Sequence, residues 1–235
     1  MRIAADRFFA CLARTLSGAA CVVVLALAGG VFVHSQTTGI RVEQKVLESA
    51  ERKYGATARK RLEDWQQLLD TGGARSETDK LTLVNSFFNR VAWISDPDHW
   101  GKADYWATPV EMLASDGGDC EDFAIAKYFT LVALGVPMDK LKITYVKTRD
   151  PNPINQSHMV LAYYANVDSV PLVLDNLVPE IKVASARPDL TPVYSFNGDG
   201  LWLAKERGSG KRVQGGSSNI AFWRELMARM GKEFN

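Results

Sequence analysis

Asp116-Gly117-Gly118-Asp119-Cys120-Glu121-Asp122-Phe123-Ala124-Ile125-Ala126-Lys127-Tyr128 places a cysteine among carboxylates directly after a glycine pair. From Cys120 onward, Phe123, Ala124, Tyr128 and Leu131 recur at helical spacing, up to Gly135. The pattern predicts a helix whose first turn holds Cys120, entered through the sharp Asp116–Asp119 turn. A helix N-terminus offers unpaired N–H groups and a partial positive charge. Both lower a thiol pKa from its ordinary value of roughly 8.5, and only the thiolate is a good nucleophile. The same N–H groups can hold an oxyanion.

Upstream of this stretch the pattern is helical. Val42, Val46, Ala50 and Tyr54 share a helical face, as do Ala58, Leu62, Trp65 and Leu69 beyond Gly55, with Thr71-Gly72-Gly73 closing the segment. Ser76 can cap a third helix with Leu81, Val84, Phe88 and Val91 on one side. Residues 95–107 read as an irregular loop rich in aromatic and acidic groups. Thr108-Pro109-Val110-Glu111 then reads as a capping box with proline at the first helical position.

Downstream the pattern changes to strands. Leu141–Val146, His158–Tyr164 and Leu172–Asp175 read as three, and Asn197-Gly198-Asp199-Gly200 joins Val193–Phe196 to Leu201–Leu203 as a hairpin. A Gly- and Lys/Arg-rich loop covers 207–218, and Ser218 is read as the cap of a last helix with Ile220, Trp223, Leu226 and Met227, ended by Gly231. Helices first and strands later predict an α+β fold in which N-terminal helices pack on an antiparallel sheet.

The chain's 235 residues suffice for one sizeable domain. Residues 1–35 carry Arg2, Arg7 and Arg14 and then an apolar run over 19–33. A basic start with a short apolar core reads as a secretory signal peptide, leaving 36–235 as a single domain. The run is about 15 residues, short of the roughly 20 that span a bilayer. Net charge is +1 and becomes −1 without the leader, so no basic field points to nucleic acid.

Of Cys11, Cys21 and Cys120, only Cys120 lies outside the leader, so no internal disulfide is available to it. Its candidate base is His158 and the candidate orienting carboxylate is Asp175. If Tyr164 pairs with Pro171 across a hairpin, Val160 lies opposite Asp175. His158 and Val160 share a face, because side chains alternate. Asp175 is then diagonal to His158 and within reach of its imidazole; a one-residue slip would separate them. Taken singly, each of the three is more often a structural residue. Their occurrence together favours a Cys-His-Asp arrangement, with Trp106 as a candidate wall.

Asp119, Glu121 and Asp122 work against this, because flanking negative charge raises a thiol pKa. Either they point away, or a cation neutralises them. The 95–107 loop adds Asp96, Asp98 and Asp104, and hard carboxylate oxygens suit Ca²⁺. The residues alone leave a calcium site and a solvated acidic turn equally open. Asp98 enters the candidate ligand set on composition.

Asp104-Tyr105-Trp106-Ala107-Thr108-Pro109, the run Gly118–Tyr128, Ser157-His158-Met159-Val160 and Leu174-Asp175-Asn176 resemble the bacterial transglutaminase-like cysteine proteinases over roughly 40–225. The resemblance implies a papain-like/transglutaminase-like fold and a catalytic triad of Cys120, His158 and Asp175. It implies calcium dependence with Asp119, Glu121 and Asp104 as ligands. It further implies a periplasmic endopeptidase that cuts the N-terminal region of a large surface adhesin at a dialanine site and so disperses biofilm. An inner-membrane c-di-GMP receptor of the LapD type is the implied inhibitory partner. Transglutaminase-like acyl transfer, or a catalytically silent binding domain on the same fold, are the alternatives.

Overall fold

A computed structural model describes residues 40–149, 157–203 and 210–234. The expected leader lies outside these residues, as does most of the loop expected over 148–153. Three helices come first: α1 (Gln44–Tyr54), α2 (Ala56–Gly72) and α3 (Glu77–Phe88). Gly55 separates α1 from α2 at φ 87°, a left-handed conformation that glycine adopts without a Cβ clash. The Ser76 hydroxyl accepts from the Asp79 N–H and starts α3 as expected. Trp65 on α2 is fully buried and donates to Thr130 Oγ1 at 2.9 Å. This bond fixes α2 against the central helix.

The segment expected to be irregular contains two short elements, β1 (Ala92–Trp93) and α4 (Asp96–Trp100). α5 (Pro109–Ser115) begins with the expected capping box: Glu111 N–H donates to Thr108 Oγ1, and Thr108 N–H to the Glu111 carboxylate. Arg61 closes its other end, donating to the Leu113 carbonyl at 2.6 Å and the Ala114 carbonyl at 2.9 Å. Asp116 follows in the left-handed region at φ 61°, then β2 (Gly117–Gly118), which pairs parallel with β1.

α6 (Cys120–Ala133) runs through the middle of the fold, with ten of its fourteen residues buried. It is apolar on nearly all sides, as a helix enclosed between other helices and a sheet must be. The sheet comprises β3 (Leu141–Thr148), β4 (Ser157–Tyr163), β5 (Leu172–Leu174), β6 (Lys182–Val183), β7 (Leu190–Asn197), β8 (Gly200–Leu203) and β9 (Lys211–Arg212). Its strand order is β6-β5-β4-β3-β7-β8-β9, and every neighbouring pair is antiparallel. The fold is α+β with helices packed on an antiparallel sheet, as the pattern predicted.

The β4–β5 register is Leu161↔Leu174, Ala162↔Val173 and Tyr163↔Leu172. Continued one step, it sets Val160 opposite Asp175, the pairing expected from the sequence. The β7–β8 turn is also as expected, with Asn197 Oδ1 accepting from the N–H groups of Asp199 and Gly200.

The C-terminal expectation needs correction. α7 (Ala221–Glu233) is preceded by Ile220, not capped by Ser218. Ser218 is drawn into a 3-10 turn over Gly216–Asn219, where its hydroxyl donates to the Gly215 carbonyl. Gly231 does not end the helix, which runs two residues further to Glu233, where Thr108 donates to its carboxylate at 2.7 Å. The buried stripe is Trp223, Leu226 and Met230, with Met227 43% exposed.

Candidate active site

Cys120 is the first residue of α6, and it is the free cysteine among the described residues. The close approach of β2 to its surroundings depends on the glycine pair. A Cβ on Gly117 would lie 2.6 Å from Ile94 Cδ1 and 2.9 Å from His99 Cε1. A Cβ on Gly118 would lie 2.7 Å from Asp122 Oδ2. The Asp122 carboxylate runs under the turn, accepting from the Ala107 N–H at 2.7 Å and the Asp119 N–H at 3.2 Å. These bonds hold the chain on both sides of the cysteine.

His158 and Asp175 come from neighbouring strands. His158 is 4% exposed and Asp175 1%. His158 Nε2 stands 2.8 Å from Asp175 Oδ1, which also accepts from the Leu177 N–H at 3.0 Å. Since Nε2 faces the carboxylate, Nδ1 is the ring nitrogen left for another partner. α3 pins the loop that carries Asp175: Asn89 Nδ2 donates to the Asp175 carbonyl at 2.9 Å, and Asn85 Nδ2 to the Pro179 carbonyl at 2.7 Å.

Cys120 and His158 line one cavity of about 560 Å³, with Trp93, Thr148, Leu177 and Arg187 among its other walls. Trp93 and Leu177 are 58% and 60% exposed, so the cavity has apolar lips. Trp106 is not a wall. It is 5% exposed and stacked between Phe196 and Phe222, each with ring centroids 5.6 Å away.

Burial raises the Asp175 pKa, but the His158 hydrogen bond and charge, the Leu177 N–H and Arg187 outweigh it and bring the carboxyl to about 2. Sequence reasoning missed Arg187. It is 6% exposed, with Nη2 2.9 Å from Asp175 Oδ2 and 2.7 Å from Asp189 Oδ2. Only the long-range pairing of two buried opposite charges marks it, and that signal exists in three dimensions alone.

The Cys120 thiol itself is pushed well above its ordinary value. Burial is the largest cause, followed by the charge of Glu121, a hydrogen bond to Glu121 Oε2 at 3.1 Å and the charge of Asp119; the Met159 N–H acts the other way. The acidic residues thus face the nucleophile rather than pointing away. Asp96, Asp104 and Glu121 converge, as do Asp96, Asp119 and Asp122, with one potential ligand atom from each group member within 4.8 Å of the others. Asp96 Oδ1 and Asp119 Oδ1 are buried without a hydrogen-bond partner. Desolvation and mutual repulsion drive Asp119 to about 8 and Asp96 to about 6, and desolvation is the main cause that brings Glu121 to about 7. Several buried carboxylates with unclaimed oxygens fit a hard, oxygen-preferring cation.

Of the ligand candidates, Asp104 meets Glu121 and Asp119 meets Glu121, in two overlapping groups, whereas Asp98 belongs to neither. Asp98 is exposed and accepts from the Ser95 hydroxyl at 2.5 Å. Asp96 stands in its place. The segment is helical over Asp96–Trp100, and residues two apart on a helix face different directions. Asp96 therefore faces the cysteine turn while Asp98 faces outward.

Residues 58–190 match the family described as bacterial transglutaminase-like cysteine proteinase, BTLCP. Among solved structures, Legionella pneumophila LapG is 46% identical, with a TM-score of 0.68 over 82% of this chain and 99% of its own. An EGTA-treated form of LapG gives 46% identity and 0.69 over the same shares. A calcium-bound form gives 47% and 0.67 over 79% of this chain and 97% of that one. None of the curated protein sequences matches.

Proposed function

The chain belongs to the bacterial transglutaminase-like cysteine proteinases, and from that premise we propose that it is a periplasmic, calcium-dependent cysteine endopeptidase with Cys120, His158 and Asp175 as its triad. The observation that carries this reading is the meeting of Cys120 and the His158–Asp175 pair at one cavity.

Cys120 gives its proton to His158 and attacks the scissile carbonyl carbon, forming a C–S bond. The N–H groups in the first turn of α6, that of Cys120 among them, hold the oxyanion. Collapse breaks the C–N bond, and the imidazolium proton goes to the leaving amine. Water, deprotonated by His158, then attacks the thioester. The C–S bond breaks, the thiolate takes the proton back, and the new carboxyl terminus leaves. Asp175 holds His158 in one tautomer throughout.

Asp96, Asp104, Asp119 and Glu121 would hold Ca²⁺, whose charge offsets theirs and removes the main electrostatic penalty on the Cys120 thiolate. The pairing of a calcium-bound and an EGTA-treated form of LapG supports this assignment.

The substrate we assign is the N-terminal region of a large surface adhesin, cut at a dialanine bond to release the adhesin and disperse biofilm. Residues 1–35 would deliver the enzyme to the periplasm, and an inner-membrane c-di-GMP receptor of the LapD type would sequester it. Likeness to LapG over nearly the whole of that protein supports this reading. The test is incubation with adhesin N-terminal fragments containing Ala-Ala, with and without calcium, followed by mass spectrometry. Cleavage between the alanines is expected, lost in Cys120→Ala and on chelation. Undiminished cleavage by Cys120→Ala overturns the mechanism.

A further inference from the structure

We infer that Arg187 is a positioning residue for the reaction: it locks the Asp175 carboxylate from the side opposite His158 and thereby fixes the imidazole. The inference rests on the triad assigned above and adds a fourth and a fifth member to it.

The geometry is a chain of four groups. His158 Nε2 meets Asp175 Oδ1 at 2.8 Å, and Asp175 Oδ2 meets Arg187 Nη2 at 2.9 Å. Arg187 Nη2 then meets Asp189 Oδ2 at 2.7 Å, while its Nε stands 3.0 Å from Asp189 Oδ1. Asp175 Oδ1 accepts from the Leu177 N–H and faces the imidazole, while Oδ2 accepts no hydrogen bond and has the guanidinium beside it as an ion pair.

A carboxylate held on one oxygen alone can swing about its terminal torsion, which is broad. With the guanidinium charge drawn up against the other oxygen, that swing is opposed, and the direction of the imidazole it bonds is kept. The planar guanidinium suits this task because its donors are fixed relative to one another. Asp189 grips the guanidinium from the outer side, its carboxylate 46% exposed, and keeps it turned inward. Arg187 follows a short 3-10 helix over Ala184–Ala186 and precedes β7, so the clamp ties the β6–β7 connection to the end of β5.

The experiment compares Arg187→Gln, Arg187→Lys and Asp189→Asn with the wild type, calcium-loaded. kcat and KM are measured separately on a synthetic peptide with an internal Ala-Ala bond, and the His158 ring by NMR with ¹⁵N-labelled histidine. Arg187→Gln should lower kcat by about 100-fold with KM within about twofold, and should shift or abolish the hydrogen-bonded His158 Nε2–H signal. Arg187→Lys keeps the charge without the fork and should lose about tenfold in kcat, while Asp189→Asn should lose less than about tenfold and retain the signal. An Arg187→Gln protein that melts like the wild type with unchanged kcat, or with the His158 signal unmoved, overturns the inference. If Arg187→Gln does not fold, the His158 signal of Arg187→Lys decides in the same way. If the wild type cuts no peptide, the peptidase reading fails, whereas the ring signals still decide the clamp.

Discussion

His158 Nε2 and Asp175 Oδ1 lie 2.8 Å apart, inside a pair that is almost closed to solvent. The contact follows from the β4–β5 register, which sets Val160 opposite Asp175 and leaves His158 on the same face one alternation away. A carboxylate so placed holds one tautomer of the ring and stabilises the imidazolium. Asp175→Asn keeps the shape but presents an amide where an acceptor is needed. It should lower kcat by about 10³- to 10⁴-fold with little change in KM, read from peptide cleavage kinetics. An unchanged kcat would remove Asp175 from the mechanism.

The same pair makes a statement about acid stability. The folded Asp175 carboxyl lies at about 2, against roughly 3.9 in an unfolded chain. A depressed folded pKa stabilises the fold above the unfolded value and loses that contribution as pH falls from about 4 through about 2. The loss amounts to about 2–3 kcal/mol. Urea unfolding of the wild type and Asp175→Asn should therefore show a stability gap that narrows by this amount between pH 5 and pH 2. A gap independent of pH would mean that the ion pair with His158 and Arg187 does not form.

Gly118 is a matter of space rather than backbone freedom, since its φ is not positive. An added methyl would press on Asp122 Oδ2 at 2.7 Å and Asp122 Cβ at 2.9 Å. That carboxylate is tied to the Ala107 and Asp119 N–H groups and has nowhere to yield. Gly118→Ala should cost about 1–3 kcal/mol in denaturant unfolding. Gly73, at φ −61° with nothing within 4 Å of an added Cβ, supplies the contrast. Gly73→Ala should be neutral or stabilise by up to about 1 kcal/mol.

Much of this architecture was legible in the sequence because its signals are local. The Thr108–Glu111 capping box and the Asn197–Gly200 turn each span a few residues, and the His158–Asp175 pairing follows from strand alternation across one hairpin; each appears as read. Signals were lost where tertiary contacts override local ones. Ser218 has the chemistry of a cap, yet the 3-10 turn claims its hydroxyl. Gly231 has the chemistry of a stop, yet the helix runs on to Glu233, which Thr108 holds in place. Arg187 was not legible because it lies outside any strand, where no alternation sets which way it faces; its nearby partner Asp189 reads as an ordinary surface pair, and its approach to Asp175 is a tertiary contact.

Asp96 and Asp98 show the sharpest failure of composition as a guide, and it is directly testable. Both are acidic, both lie in the same segment more than twenty residues before Cys120, and only helix geometry separates them. The five residues Asp96–Trp100 are too few for a periodic pattern to be read, so the segment looks like a loop with two interchangeable carboxylates. Folded, Asp96 is 2% exposed with Oδ1 unpartnered and directed among the other carboxylates, while Asp98 is exposed and satisfied by Ser95. Isothermal titration with calcium should show Asp96→Asn binding about 10- to 100-fold more weakly than the wild type, and Asp98→Asn within about twofold. Chelation should abolish peptide cleavage by the wild type and by Asp98→Asn alike. Equal losses in the two variants would mean that the cation is held by the segment as a whole rather than by the face that α4 turns toward Cys120.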